Sequence, residues 1–344
     1  MERPPVLKIQ HLTKRFGKRK ILKNISLDVF EGEIFGIIGA SGSGKTTLLK
    51  NIVGYLVPEE GDVKFRYDYF VKKKSKDNQP LYASVFKQQK LSKNLFGFAS
   101  QEPSFYQRLN VKENLRYFGS LYNMNKKSLD SNIEILISLM DLKQAEKTLA
   151  ANLSGGMERR LDIACALIHD PEVLILDEPT SDLDPILRDH IWSLVQKINK
   201  KGTTIILASH HLSEVEHFCS RIAIIKEGRI IDVASPARLK TKYAESQEIR
   251  IQTYPGHYAN IAKSIKKPGS RVYDVQVKGS ELVIYSDQPQ VVIHEILHTL
   301  EVLKEELIDI NVSRPGLDEL FLKIAGDGDK SKERSDKVGV MRGL

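Results

Sequence analysis

The chain has 344 residues, 41% of them hydrophobic, and carries a net charge of +8. That balance supplies ordinary globular cores, excludes wholesale disorder, and suits two domains at about 150 residues each. Two cysteines, Cys165 and Cys219, exclude a disulfide framework or a zinc centre of their own, and no run approaches the roughly 18 apolar residues that cross a bilayer, so the chain is expected to be soluble by itself.

Val6–Gln10 and Ile25–Val29 read as strands, and Ile34–Ile38 as a fully apolar, buried one. The last feeds Gly39-Ala40-Ser41-Gly42-Ser43-Gly44-Lys45-Thr46, and a helix is predicted from about Gly44 to Val53, ended by Gly54 and Pro58. Strand, glycine-rich loop and helix together make a phosphate cradle. Glycines let backbone N–H groups reach phosphate oxygens, and the helix adds its positive end. Lys45 then neutralises the β- and γ-phosphates, and the Thr46 hydroxyl reaches Mg²⁺. Gly39, Ser41, Gly42, Ser43, Gly44, Lys45, Thr46 and Thr47 are thus candidate nucleotide-binding residues.

A basic insertion is read at about 64–93. Between Lys64 and Lys93 lie nine basic and two acidic residues, a local charge of +7, with Tyr67, Tyr69, Phe70, Tyr82 and Phe86 interleaved. Such a stretch suits a solvated surface, and also nucleic acid or a phospholipid surface. Residues of about 105–170 read as mostly helical, with an apolar stripe of Leu136, Leu139, Met140 and Leu142 and with Ser154 as N-cap of a helix from Gly155. Val173–Leu176 and Thr204–Ala208 are buried parallel-type strands flanking the helix Ile186–Asn199, and Ile222–Ile225 and Arg229–Val233 form a last pair. The alternation predicts an α/β core interrupted by a helical subdomain. Asp177 and Glu178 end the apolar strand where an α/β sheet opens onto ligand.

Beyond about Lys240 the pattern changes. Strands are predicted at Glu248–Thr253, Tyr273–Val277, Leu282–Tyr285 and Leu307–Val312, and helices at His257–Ile265, around Ile293–Leu303, and at Asp318–Ile324. The order β-α-β-β-α-β predicts a small α+β sandwich of ferredoxin-like type over about 246–325, and the Gly-, Lys- and Asp-rich residues 326–344 read as a disordered tail.

The phosphate loop, Leu153-Ser154-Gly155-Gly156-Met157, Val173–Glu178 and His210 lie in a fixed order, with Phe16 upstream and Gln101 between. Over residues 6–235 this resembles the ATP-binding subunit of an ATP-binding-cassette (ABC) transporter. The resemblance implies a P-loop NTPase cassette over 1–240, with a RecA-like core, a β subdomain and the inserted helical subdomain. It implies that Glu178 orients and deprotonates the attacking water, that Asp177 holds Mg²⁺ through water, and that His210, rather than its neighbour His211, meets the γ-phosphate. Lys45 and Gln101 join the catalytic set, Thr46 and Gln101 the Mg²⁺ set, and Phe16 stacks on adenine. Ser154, Gly155 and Gly156 would serve the ATP of a second copy, paired head to tail. Asp184, in Ser181-Asp182-Leu183-Asp184, would lie in the loop that crosses this dimer.

Two departures from the family pattern stand out. Met157 takes a position where Gln is usual, which implies less polar contact, and Asp182 one where small residues are commoner. The ending Arg314-Pro315-Gly316-Leu317-Asp318-Glu319-Leu320-Phe321 resembles the accessory domain of some exporter ATPases. Together these imply ATP and Mg²⁺ as ligands, a separate multi-span membrane subunit as partner, and residence at the cytoplasmic face of the cell membrane. Two rival readings are an ABC-type ATPase acting on nucleic acid or ribosomes and a regulatory protein that closes on ATP without turnover. One phosphate loop, no sustained heptads and two cysteines weigh against the first, and intact Lys45, Asp177, Glu178 and His210 against the second.

Overall fold

The computed structural model describes residues 4–68, 80–243, 247–266 and 270–313. The chain forms two compact units, Met1–Ser235 and Pro236–Leu344.

In the first unit, β1 (Leu7–Phe16) and β2 (Arg19–Val29) form a hairpin, and β3 (Ile34–Ile38) leads through the glycine-rich loop into α1 (Lys45–Ile52). β4 (Glu60–Arg66) and β5 (Tyr82–Ser84) complete an antiparallel sheet of order β2-β1-β4-β5. After α2 (Gln89–Leu95) comes β6 (Phe96–Ala99). The helical portion follows as α3 (Val111–Leu121), α4 (Lys126–Leu139) and α5 (Gly155–Leu167). The chain then alternates β7 (Val173–Asp177), α6 (Pro185–Lys200), β8 (Thr204–Ser209), α7 (Leu212–Phe218), β9 (Arg221–Lys226) and β10 (Arg229–Ala234).

The second sheet has order β10-β9-β3-β8-β7-β6, parallel except for the β9–β10 hairpin. Every residue of β3, β7 and β8 is buried, as expected of parallel strands covered on both faces. One core joins Leu7, Ile25 and Val63 of the antiparallel sheet to Leu48 and Ile52 of α1 and Ile175 and Ile206 of the parallel sheet. Asn110 and Glu113 close a capping box on α3, while Asn125 and Ser154 cap α4 and α5.

The ends of the basic stretch are built into the antiparallel sheet: Lys64 and Arg66 belong to β4 and Tyr82 to β5. Nor do its described aromatics form an exposed ladder. Phe65 is buried, and Tyr67 and Phe86 pack against the core. The Tyr82 hydroxyl donates to the Pro5 carbonyl at 2.8 Å, with Lys8 Nζ 4.5 Å from the ring centroid. Alternation places apolar side chains inward and the cations outward, so charge and aromaticity are sorted to opposite faces of one strand. Tyr69 and Phe70 lie outside the described residues.

The second unit opens with α8 (Pro236–Tyr243) and continues as β11 (Gln247–Tyr254), α9 (Tyr258–Ile265), β12 (Val272–Lys278), β13 (Glu281–Ser286), α10 (Pro289–Leu303) and β14 (Glu306–Ser313). Its sheet has order β12-β13-β11-β14 and is antiparallel throughout, the split β-α-β pattern. Ile261, Ile265, Val292, Ile296 and Leu300 of the helices are buried with Ile249, Ile251, Leu282 and Ile284 of the sheet. On the other face Arg250 and Gln252 stand beside Asp309 and Asn311 in an open polar trough. The expected helix Asp318–Ile324, the motif Arg314–Phe321 and the tail 326–344 lie outside the described residues. Among the described residues no helix is long and apolar enough to cross a membrane.

Candidate functional site

β3 delivers the glycine-rich loop to the open end of the parallel sheet. Gly44 caps α1 at φ 110°, a left-handed conformation that side chains rarely adopt. A Cβ on Gly39 would lie 2.5 Å from the Ile225 carbonyl oxygen and from Ser43 Oγ, so the loop can seat against β9 only with glycine there. The loop is also pinned from the β9–β10 turn, where the Gly228 N–H donates to the Ser43 carbonyl at 3.2 Å. Gly39, Ser43, Gly44 and Lys45 are buried, Thr46 and Thr47 half-buried, and Ser41 and Gly42 exposed.

The Lys45 ammonium donates to the Gly39 carbonyl at 2.9 Å and lies 3.4 Å from Glu178 Oε1. The other Glu178 oxygen accepts from the His210 backbone N–H at 3.2 Å and sits 2.7 Å from its Nδ1. One buried carboxylate is thus held between the loop lysine and His210. His211 does not share this contact: its N–H donates to Ser209 Oγ at 3.0 Å, and its imidazole pKa is lowered by burial and by the adjoining His210. Glu178 has φ 49°, a strained conformation for a residue with a side chain, costing about 1–3 kcal/mol. Its N–H is anchored on the Ala208 carbonyl at 2.9 Å.

Asp177 ends β7 with 1% exposure, and neither carboxylate oxygen has a well-formed hydrogen-bond partner. Burial raises its pKa, opposed in part by the Thr46 hydroxyl and the Lys45 charge. Ser43 Oγ is likewise buried without a partner. Orphaned oxygens of this kind cost free energy unless a cation or donor arrives. Asp177 and the adjoining Thr46 hydroxyl offer hard oxygens of the kind Mg²⁺ takes, and Gln101, a third oxygen donor by type, is exposed at the head of the loop after β6.

Other expected site residues lie apart from this carboxylate cluster in the contacts they make. Phe16 ends β1 with 51% exposure and Lys14 Nζ 5.6 Å from its ring centroid, so it is a surface ring and not a core one. Ser154 caps α5, its Oγ accepting from the Met157 N–H at 3.4 Å. A Cβ on Gly155 would meet nothing within 4 Å, whereas one on Gly156 would come within 2.8 Å of Leu187 Cδ2. Asp184 is the N-cap of α6, accepting from the Leu187 N–H at 2.9 Å, and Asp182 has φ 61°.

Three charged residues around the site escape sequence reasoning. Glu214 of α7 accepts from Thr180 Oγ1 at 2.6 Å and from Trp192 Nε1 at 2.9 Å, tying the segment after Glu178 to α6. Arg159 and Asp162 are buried on α5. Their one visible signal is position, as charges inside the run Leu161-Asp162-Ile163-Ala164-Cys165 and just before it.

Comparison with known proteins identifies the family and the fold. The family described as "ABC transporter" matches residues 22–181. The linearmycin resistance ATP-binding protein LnrL of Bacillus subtilis is 30% identical over 323 residues, spanning 93% of this chain and 98% of its own. The Nod factor export ATP-binding protein I of Sinorhizobium fredii is 29% identical over 320 residues, spanning 93% and 86%. Among solved structures, cbiO1 of Clostridium perfringens, part of the ABC transporter complex cbiONQ, superposes with TM-score 0.60 at 26% identity, over 70% of this chain and 92% of its own. A dimeric ATP-binding cassette in a post-hydrolysis state with ADP and Pi superposes with TM-score 0.57 at 26% identity, over 67% and 98%.

Proposed function

The chain belongs to the ABC transporter family as an ATP-binding subunit with ATPase activity, and from that premise we propose that it drives export through a separate membrane-spanning subunit. The observation that carries the site assignment is the convergence of Lys45 and His210 on Glu178, beside the orphaned carboxylate of Asp177. ATP phosphates entering the loop compete for the Lys45 ammonium and release Glu178 to orient and deprotonate water, while His210 reaches the γ-phosphate. Thr46, Gln101 and Asp177 would hold Mg²⁺, which would supply charge neutralisation on the phosphates. Phe16, exposed at the end of β1, offers its face to adenine.

Two copies pair head to tail around two ATP molecules, each lending Ser154, Gly155 and Gly156 to the other. The open space over Gly155 supports this, because among the described residues a Cβ there would meet nothing within 4 Å. Nod factor export and linearmycin resistance, named for two relatives, support an outward direction of transport. A peripheral position at the cytoplasmic face of the membrane follows from pairing such a subunit with a membrane permease. Nucleic acid is not a partner on this reading, since Tyr67 and Phe86 of the basic stretch pack against the core and the Tyr82 hydroxyl is taken up by the Pro5 carbonyl.

The test has two parts. ATP hydrolysis by the purified chain should require Mg²⁺ and fall by about 100-fold or more in Glu178→Gln, with ATP binding kept. Equal rates would remove Glu178 from the mechanism. A tagged pull-down from detergent-solubilised, nuclease-treated membranes should recover a multi-span protein in stoichiometric amount. Recovery of ribosomal proteins instead would overturn the transport assignment.

A further inference from the structure

Arg159 lies one helical turn before Asp162 on α5, the helix that begins with Ser154-Gly155-Gly156. The residue is 7% exposed, and the three backbone carbonyls its side chain bonds all adjoin a site residue. Nη1 donates to the Ser100 carbonyl at 2.6 Å, immediately before Gln101. Nη2 donates to the Asp177 carbonyl at 2.9 Å and Nε to the Pro179 carbonyl at 3.0 Å, on either side of Glu178. Asp162 Oδ2 pairs with Nη1 at 3.4 Å. Asp162 Oδ1 accepts from the Ser104 N–H at 3.0 Å and its hydroxyl at 2.9 Å, on the far side of Gln101.

A buried guanidinium is costly, and an ordinary core would use an apolar side chain in its place. What arginine adds is a rigid planar fork with five donors, able to hold several carbonyls in fixed relation. Here the fork fixes three carbonyls from two separate stretches of chain, one before Gln101 and one around Glu178. Both sides of Gln101 and both sides of Glu178 are thereby referred to one helix, and that helix presents Ser154–Gly156 at its first turn.

We propose that Arg159, braced by Asp162, is a positioning residue that sets the placement of Gln101 and Glu178 relative to the Ser154–Gly156 helix start. The pair registers occupation of that helix start at the hydrolytic carboxylate, because α5 cannot shift without carrying the Ser100, Asp177 and Pro179 carbonyls. The inference rests on the site reading given above. It assigns Arg159 no contact with nucleotide, so its loss should act on turnover and spare binding.

The test is steady-state ATP hydrolysis by the full chain, with MgATP affinity measured in the Glu178→Gln background and melting measured throughout. Arg159→Lys keeps the charge but cannot span three carbonyls. It should lower kcat by about 10- to 100-fold, the scale of a misplaced catalytic group, with KM and MgATP affinity within about threefold of the parent. Asp162→Asn, which keeps an acceptor for Ser104 but unpairs Arg159, should lower kcat by less. Unchanged kcat in Arg159→Lys, or loss of affinity in parallel with kcat, overturns the proposal. Should Arg159→Lys not fold, Arg159→Gln is read in the same way, and failure of both to fold assigns Arg159 to stability alone. If Glu178→Gln itself hydrolyses ATP at the parental rate, the site reading has failed. If it is inactive and Arg159→Lys is not impaired, only the positioning role has failed.

Discussion

Asp177 of the first unit and Glu305 of the second are both buried carboxylates at a junction between a helix or loop and a strand, and they are treated in opposite ways. Burial pushes both carboxyls up. At Glu305 the backbone N–H groups of His257 and Gly256 donate at 2.9 and 2.8 Å, the His257 ring lies 2.8 Å away, and the group is held at about 2. At Asp177 neither oxygen finds a comparable donor and the pKa stays raised. A satisfied buried carboxylate is a brace for the fold, whereas an unsatisfied one at the mouth of a sheet has lone pairs suited to an incoming cation or donor.

The sharpest way to break this contrast is to neutralise each carboxylate in turn. Asp177→Asn should lower Mg²⁺-dependent ATP hydrolysis by about 100-fold or more. In the presence of chelator its melting temperature should not fall, because the substitution removes an uncompensated buried charge. A large stability loss would mean that Asp177 is a brace after all.

Gly155→Ala probes the same distinction at the helix start. Its Cβ would meet nothing within 4 Å, and alanine favours a helix by up to about 1 kcal/mol over glycine. The isolated chain should therefore melt at the same temperature or higher. Hydrolysis should nevertheless fall by about tenfold, because a methyl group there meets whatever docks from the second copy. Unimpaired hydrolysis would count against the head-to-tail role of Ser154–Gly156.

How much of this was legible follows the sequence distance over which each feature is built. The phosphate loop occupies consecutive residues, and Asp177-Glu178 closes a single apolar strand, so both are visible in one window. Arg159 is not, because its carbonyl partners Ser100, Asp177 and Pro179 lie 59, 18 and 20 residues away. Strand β4 is a different kind of omission. Asp62-Val63-Lys64-Phe65-Arg66 alternates cleanly, but the surrounding charge outweighs that pattern when composition is read first. β6 is four residues long and contains Gly97, whose missing side chain admits the Ala166 carbonyl of α5. A strand admitted by a close backbone approach has no periodic signal to offer. In the second unit, alternating strands and a 3.6-residue stripe made the order of elements legible, while the Glu305–His257 brace spans 48 residues and was not.

Glu305→Gln should leave hydrolysis by the cassette site unchanged and destabilise the second unit by about 1–3 kcal/mol at neutral pH, since an amide presents N–H to at least one donor. Wild-type chain should resist proteolysis within residues 247–313 better than the variant. Equal resistance would demote the brace to an incidental contact.

Acid separates the two units by smaller margins. Glu305 has a depressed folded pKa, so its contribution is complete above the ordinary carboxylate value of 4.5 and is lost as pH falls towards about 2. His169 of the first unit, stacked on Tyr122 at 3.7 Å, is held neutral by burial, with its pKa lowered from 6.5 to about 4. The unfolded chain then binds a proton that the native ring refuses, so stability drains between pH 6.5 and 4, a milder range than for Glu305. His169→Phe keeps a ring against Tyr122, loses the 3.1 Å contact with the Phe96 carbonyl, and removes the titration. The melting advantage of wild type over His169→Phe should therefore shrink as pH falls from 6.5 to 4, while its advantage over Glu305→Gln holds steady until about pH 4.5 and shrinks only below it. A His169 difference that ignores pH across that range would show that the ring is charged in the native chain.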